Sequence, residues 1–213
     1  MPLRTCWLSS DSGTLPVVTD APTPVVTAVE TFIDVWAGEV RRRVPEVQQL
    51  RDRYERMDRA VAHADAPMLS EEDVYEAWQQ LWAAQHHLVW AAYQLERWVA
   101  RLARETHQQA PAADPVLADL RHALEHLDEA EFDEQGATPG ARSRSLRALP
   151  GGRLDIGPGT TRRMFDLVDD ADLERRALAI TTTSDRLMVE AEAFVDWLRS
   201  NGEWPAAEEG EES

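Results

Sequence analysis

The chain has 213 residues, enough to bury one hydrophobic core, and its net charge of −17 argues against a broad basic surface for nucleic acid. Its single cysteine, Cys6, excludes an internal disulfide framework and fits a reduced cytoplasm. The sequence contains no apolar run of membrane-spanning length and no apolar export signal, so we expect a cytoplasmic protein that does not contact a membrane.

The first predicted element is a helical run that follows an irregular start. Residues 1–24 contain Pro16, Pro22 and Pro24 among Ser, Thr and Asp, which is typical of an irregular segment. From residue 25, apolar residues recur at helical spacing as far as Val61. Pro45 lies inside this run, and we expect it to kink or break the helix. We predict one helical domain over 25–201.

The second element is a long helix from Glu71 to about Glu105. Ser70 and Asp73 form a plausible capping box at its start. Its apolar arc is wide enough for the central helix of a bundle. The arc comprises Trp78, Leu81, Trp82, Leu88, Val89, Tyr93, Leu95 and Val99. We interpret His86 and His87 on this helix as ordinary boundary residues, because the sequence places no carboxylate to orient them.

The polar half of the same helix carries Trp90 and Trp98 among Arg97 and Arg101. Exposed tryptophan beside arginine is typical of a partner or dimer surface, and a covering helix is the alternative. If this helix lies beside the next one, Arg97 and Arg101 are candidates for extra phosphate contacts.

The third element, at about 114–132, carries the residues best suited to chemistry. Leu117, Leu120, Leu124 and Leu127 fall on one face. The opposite face carries an arginine, two histidines and carboxylates. These are Arg121, His122, Glu125, His126 and Asp128. A solvated helix face is the structural explanation for such a pattern.

The string Arg121-His122-x-x-x-His126, followed by Asp128 and Glu129, resembles the signature of the HEPN superfamily of helical domains. The resemblance covers this helix and, more loosely, the helix before it. It implies an all-α, HEPN-like bundle of about five helices that usually forms a homodimer. Catalytic members are metal-independent endoribonucleases, found in toxin–antitoxin and phage-defence settings, and other members are non-catalytic binding modules.

By position in that motif, the resemblance implies that Arg121 and His126 are the catalytic pair and that His122 orients them. Histidine titrates near neutral pH, so it can take a proton from a ribose 2′-hydroxyl or give one to a leaving oxygen. Arginine offers a fork to phosphate and stabilises the charge that develops there. We expect no cofactor and no metal for this chemistry.

An overlapping pattern supports a zinc alternative. His122-x-x-Glu125-His126 matches the H-x-x-E-H string of inverted zinc metallopeptidases, in which two histidines bind the metal. A third ligand would have to come from Glu190, Glu192 or Glu203. The chain has too few strand signals for the mixed scaffold of those peptidases, which disfavours this interpretation.

The last elements are an insertion, a helix and a tail. Residues 133–161 are rich in Gly and Pro, and 145–149 with 153–156 predict either a small hairpin or a mobile surface insertion. Arg147 there is a candidate for binding phosphate. One helix is predicted from about 170 to 200, continuing through the threonines at 181–183. We expect an acidic, disordered tail at 202–213.

Function is therefore predicted in two classes. The first is a metal-independent endoribonuclease acting on RNA as a homodimer. The second is a non-catalytic helical adaptor that binds a partner protein through its acidic surface and Trp90 with Trp98. A basic groove that converges on Arg121 and His126 would favour the nuclease.

Overall fold

The computed structural model describes residues 23–63, 68–134, 136–141, 145–157, 161, 163–180 and 183–200, without the side chains of 183–190. In this part of the chain the predicted all-α bundle with a small insertion is confirmed. The helices are α1 (Pro24–Ala62), α2 (Glu71–Glu105), α3 (Pro115–Glu125), α4 (Asp170–Ala179) and α5 (Thr183–Ser200), and the strands are β1 (Glu131–Asp133) and β2 (Gly136–Thr138). The predictions for most of 1–24 and for the tail lie outside the described residues.

The core lies between two long antiparallel helices, α1 and α2, with α3 and α4 packed against them. Phe32, near the start of α1, stacks on Trp98, near the end of α2. The predicted bounds and capping box of α2 are confirmed, since the Ser70 hydroxyl accepts from the Asp73 amide and the Asp73 carboxylate accepts from the Ser70 amide. The largest fully buried side chains include Val40, Val44, Val47, Leu81, Leu88, Leu117 and Leu120.

Helix α1 continues through Pro45, so the predicted break there is wrong. An internal proline removes one backbone hydrogen bond and clashes with the preceding turn, which disfavours a helix by about 3 kcal/mol. Val40, Val44 and Val47 keep one helical register across the proline, and all three are fully buried. Burial of this stripe in the core outweighs the local penalty of the proline.

The hairpin of the insertion is formed by residues other than the predicted ones. β1 pairs with β2, whereas the hairpin alternative for this insertion paired 145–149 with 153–156. That pairing is wrong because Ser145–Ala148 forms a 3₁₀ turn, which places Leu146 and Leu149 on one buried side. Leu154 is also buried and bridges to Ala137 of β2 by two backbone hydrogen bonds. The insertion therefore belongs to the core, and is not only a surface loop.

Replacing Gly136 with alanine is expected to destabilise the protein strongly. Gly136 has a φ of +145°, and an added Cβ would lie 2.4 Å from the Leu154 carbonyl oxygen. A backbone strain of about 1–3 kcal/mol is therefore compounded by a clash with another backbone segment. Urea denaturation would measure the loss in the free energy of unfolding.

Gly38→Ala is the matched control for that substitution. Gly38 is exposed within α1, and a Cβ there meets no atom within 4 Å. Alanine is favoured over glycine in a helix interior by about 1 kcal/mol, so this variant should be more stable than wild type. Equal effects of the two substitutions would contradict the geometry assigned to Gly136.

The last helical run is divided into α4 and α5, so the predicted single helix from 170 to 200 is wrong. Ile180 is extended, with φ −82° and ψ 107°. Nη2 of Arg41 donates to the carbonyl oxygens of Ala177 and Ile180 at 3.1 and 3.2 Å, which satisfies carbonyls at the end of α4. The β-branched residues that follow have low helix propensity. Among the described helices, none is long and apolar enough to cross a membrane.

Candidate functional site

Helix α3 carries the predicted motif, and its N-terminus is firmly capped. Asp114 is the N-cap: its Oδ1 accepts hydrogen bonds from the amides of Val116 and Leu117 at 2.9 and 3.3 Å. Pro115 occupies the first helical position, where a backbone N–H would have no partner within the helix, so no hydrogen bond is lost. The buried face consists of Leu117, Leu120, Ala123 and Leu124. This face fixes the rotation of α3 and leaves the motif residues on the other side.

The C-terminus of α3 lies at Glu125, so the prediction that this helix extends to about residue 132 is wrong. His126 is the C-cap residue, and Leu127–Glu129 form a 3₁₀ turn that leads into β1. Carboxylates in this stretch lie at the negative end of the helix macrodipole, which disfavours further α-helix. His126 is therefore at the exposed end of the helix rather than in its middle.

Arg121 is held by three side chains of its own chain. Its guanidinium carbon lies 4.9 Å from the ring centroids of both Trp90 and Tyr93 on α2. It also forms an ion pair with Glu125, one turn further along α3. Its Nε is buried without a hydrogen-bond partner among the described residues. The guanidinium is thus fixed in position and orientation.

His122 and His126 lie one turn apart with their rings in contact. The ring centroids are 4.7 Å apart in an edge-to-face arrangement. Nδ1 of His126 lies 3.3 Å from Oε1 of Glu129, and the His126 side chain is 43% exposed. A histidine beside a carboxylate keeps a defined tautomer, which leaves Nε2 for proton transfer. The motif thus places two imidazoles at an accessible surface.

The three arginines predicted to bind phosphate are not gathered around these histidines. Arg97 and Arg101 are exposed on α2, on the C-terminal side of Glu96. Glu96 contacts Asp114 at the start of α3. The two arginines therefore lie toward the end of α3 opposite to His126. Arg101 forms an ion pair with Glu105.

Arg147 is placed differently from the two arginines of α2. It is exposed in the 3₁₀ turn Ser145–Ala148, which packs against α3. Arg147 is therefore on an element that contacts the motif helix, as α2 also does. The neighbouring Arg142 and Arg144 lie outside the described residues.

The two tryptophans predicted to form a partner surface are both half-buried. Trp98 stacks on Phe32 of α1 with ring centroids 4.4 Å apart, and Trp90 lies beneath Arg121. A more exposed aromatic pair occurs on α5, where Phe194 and Trp197 are 59% and 53% exposed and stack at 6.1 Å. Their spacing of three residues on a predicted helix was the sequence signal for this pair.

Sequence reasoning missed the relation between His86 and the motif helix. α2 and α3 are antiparallel, because Glu96 contacts Asp114 while Trp90 contacts Arg121. His86 on α2 therefore lies toward the C-terminal end of α3. The charge of Glu125 acts on its pKa, so a carboxylate does lie near this ring. No local signal in the sequence predicts this register, because the contact joins two separate helices.

The pKa of His86 gives a prediction for the pH dependence of stability. Burial and the charge of His87 lower this pKa from its ordinary value of 6.5, and the charge of Glu125 offsets only part of that shift. The unfolded chain therefore binds more protons than the folded one as pH falls below 6.5. As the pH falls from 7.5 to 5, the urea midpoint of wild type should therefore fall more than that of His86→Gln. His63→Gln, at the exposed end of α1, removes a histidine that does not act on His86 and should retain the wild-type pH dependence.

The positions of His, Cys, Asp and Glu side chains decide whether a metal ion could be bound. Within the described ranges, no three such side chains are close enough to hold one metal ion. Of the predicted third zinc ligands, Glu192 is exposed on α5, and Glu203 and the side chain of Glu190 lie outside the description. His122 and His126 are thus a pair without a third ligand among the described residues.

Comparison of the chain with models of protein families, with curated proteins and with solved structures finds no match.

Proposed function

We propose that this chain is a HEPN-like, metal-independent endoribonuclease that acts as a homodimer in the cytoplasm. The observation that carries the proposal is the arrangement at the end of α3, where two imidazoles in contact follow a rigidly held guanidinium by one and by five residues. These are the side chains that RNA cleavage through the 2′-hydroxyl requires. We assign it to the toxin–antitoxin or phage-defence setting that the resemblance implies.

In the proposed reaction, His126 of one protomer takes the proton of a ribose 2′-hydroxyl. The 2′-oxygen then attacks the adjacent phosphorus, and the bond from phosphorus to the 5′-oxygen breaks. His126 of the partner protomer gives its proton to that leaving oxygen. The products are a 2′,3′-cyclic phosphate and a free 5′-hydroxyl.

Arg121 is proposed to stabilise the negative charge that builds up on the phosphate oxygens. Stacking between Trp90 and Tyr93 holds the guanidinium plane, so little conformational entropy is lost when phosphate binds. Phosphate then competes with Glu125 for the guanidinium. His122 is proposed to position the His126 ring through the contact between them.

The test is cleavage of mixed cellular RNA by the purified full-length protein in excess EDTA. Wild type is expected to cut and to leave 2′,3′-cyclic phosphate ends. His126→Ala should lose about 10²–10⁴-fold in rate, the usual contribution of a general acid or base. His87→Ala, an exposed histidine on α2, is the matched control and should cut like wild type. Equal background cutting by all three proteins would overturn the proposal.

A second candidate function is a non-catalytic helical adaptor for a partner protein. Two observations favour it: Arg121 is already engaged by its own chain, and Phe194 with Trp197 present an exposed aromatic pair on α5. Exposed aromatic residues are enriched in protein interfaces. Under this alternative, RNA cleavage is absent in wild type and the motif residues serve stability alone.

A further inference from the structure

An apolar cavity separate from the histidine site opens between α1, α2, α4 and the segment before α3. Its volume is about 330 Å³, at the lower end of the range for small-molecule sites. It lies near the N-terminus of α3, at the opposite end of that helix from His126. The lining residues are mostly aliphatic and include Val40, Ala92, Leu95, Val99, Leu173 and Ile180.

Two charged residues, Glu96 and Arg176, are part of the cavity wall, and all three nitrogens of the arginine already donate to carboxylates. Its Nε donates to Asp172 at 2.8 Å, its Nη1 to Glu96 at 2.8 Å and its Nη2 to Asp114 at 3.0 Å. Three carboxylates therefore surround one guanidinium. The local charge is negative, which favours a cation over an anion.

Glu96 is the group that a cation in the cavity would meet. Its Oε1 and Oε2 accept from the backbone amide of Asp114 at 3.2 and 3.3 Å, and Oε1 also accepts from Arg176. A carboxylate has about four acceptor positions, so Oε2 retains capacity for another donor. Burial raises the pKa of this carboxyl above its usual value despite these partners. The negative charge of Glu96 is thus incompletely compensated within the protein.

We propose that this cavity binds a small aliphatic ammonium ion, with its alkyl chain among the aliphatic side chains and its N–H groups on Glu96. The ammonium ion supplies a positive charge and N–H donors for Glu96. The alkyl chain fills the apolar part of the cavity. This binding site is independent of the proposed nuclease chemistry. Each methylene added to the ligand is expected to raise affinity about fourfold until the cavity is filled.

The test is isothermal titration of the full-length protein with three ligands of equal chain length: n-hexylammonium, n-hexanoate and n-hexanol. Saturable binding of hexylammonium, at least tenfold tighter than that of the other two, is expected. Glu96→Gln should lower the hexylammonium affinity about tenfold. Glu105→Gln removes a carboxylate from the same helix outside the cavity and should leave the affinity unchanged.

A second variant keeps the proposal falsifiable if Glu96→Gln folds poorly. Ala100 is half-buried and lines the cavity, so Ala100→Leu fills space while the carboxylate of Glu96 is kept. It should abolish hexylammonium binding while circular dichroism stays like that of wild type. The proposal is overturned if hexylammonium does not bind saturably, if hexanoate binds equally well, or if Ala100→Leu leaves binding unchanged.

Discussion

Arg51→Ala is expected to lower the free energy of unfolding by about 3–5 kcal/mol, the usual result of removing one partner of a buried ion pair. Nη1 of Arg51 on α1 donates to Oδ2 of Asp170 on α4 at 2.8 Å, and the two side chains are only 8% and 7% exposed. Without the arginine, the Asp170 carboxylate stays buried with no opposite charge beside it. Urea denaturation followed by circular dichroism would measure the loss.

Two further variants separate this explanation from a general effect of arginine removal. Arg42 on α1 pairs with Glu39 but is 60% exposed, so Arg42→Ala should change stability by less than about 1 kcal/mol. The double variant Arg51→Met with Asp170→Leu leaves no buried charge and should recover most of the stability lost by Arg51→Ala. An effect of Arg51→Ala no larger than that of Arg42→Ala would contradict the assigned role.

Arg121→Lys is expected to reduce RNA cleavage about 10²–10³-fold under the proposed function, as for loss of one fixed donor to a developing charge. Lysine keeps the positive charge but lacks the planar fork that stacks on Trp90 and Tyr93. The charge would therefore remain while its fixed orientation is lost. Cleavage rates in EDTA, with circular dichroism of the same samples, would measure the effect on catalysis separately from folding.

Arg101→Lys is the matched control for that substitution. Arg101 is exposed on α2, pairs with Glu105 and lies away from the histidines. The variant should therefore cut RNA at the wild-type rate. If Arg121→Lys also cuts at the wild-type rate, Arg121 does not stabilise the phosphate. Its contacts with Trp90, Tyr93 and Glu125 would then be structural.

Much of the helical framework was predictable because its signals are local. The bounds of α2 follow from the capping box of Ser70 and Asp73 and from an uninterrupted apolar arc. The start of α3 follows from Asp114 and Pro115, and its buried face from the spacing of its leucines. In each case neighbouring residues in the chain supply the hydrogen bonds or the periodicity, so no distant contact is needed.

The wrong predictions share a different origin. Pro45 does not end α1, since the buried valines on both sides of it are held by the core. The predicted hairpin fails because Leu146 and Leu149 are buried on one side of a 3₁₀ turn. The last helix divides where Arg41, more than 130 residues earlier, binds its terminal carbonyls. These outcomes depend on contacts between residues far apart in sequence.

The candidate site shows the same division. The sequence alone determined that Arg121 and His122 fall outside the apolar face of α3, because helical periodicity requires it. Only the tertiary structure decided that Arg121 is enclosed by Trp90 and Tyr93, and that Glu96 and Arg176 meet at an apolar cavity. Those contacts join separate helices, and their relative placement is set by packing of the whole core rather than by local backbone preferences.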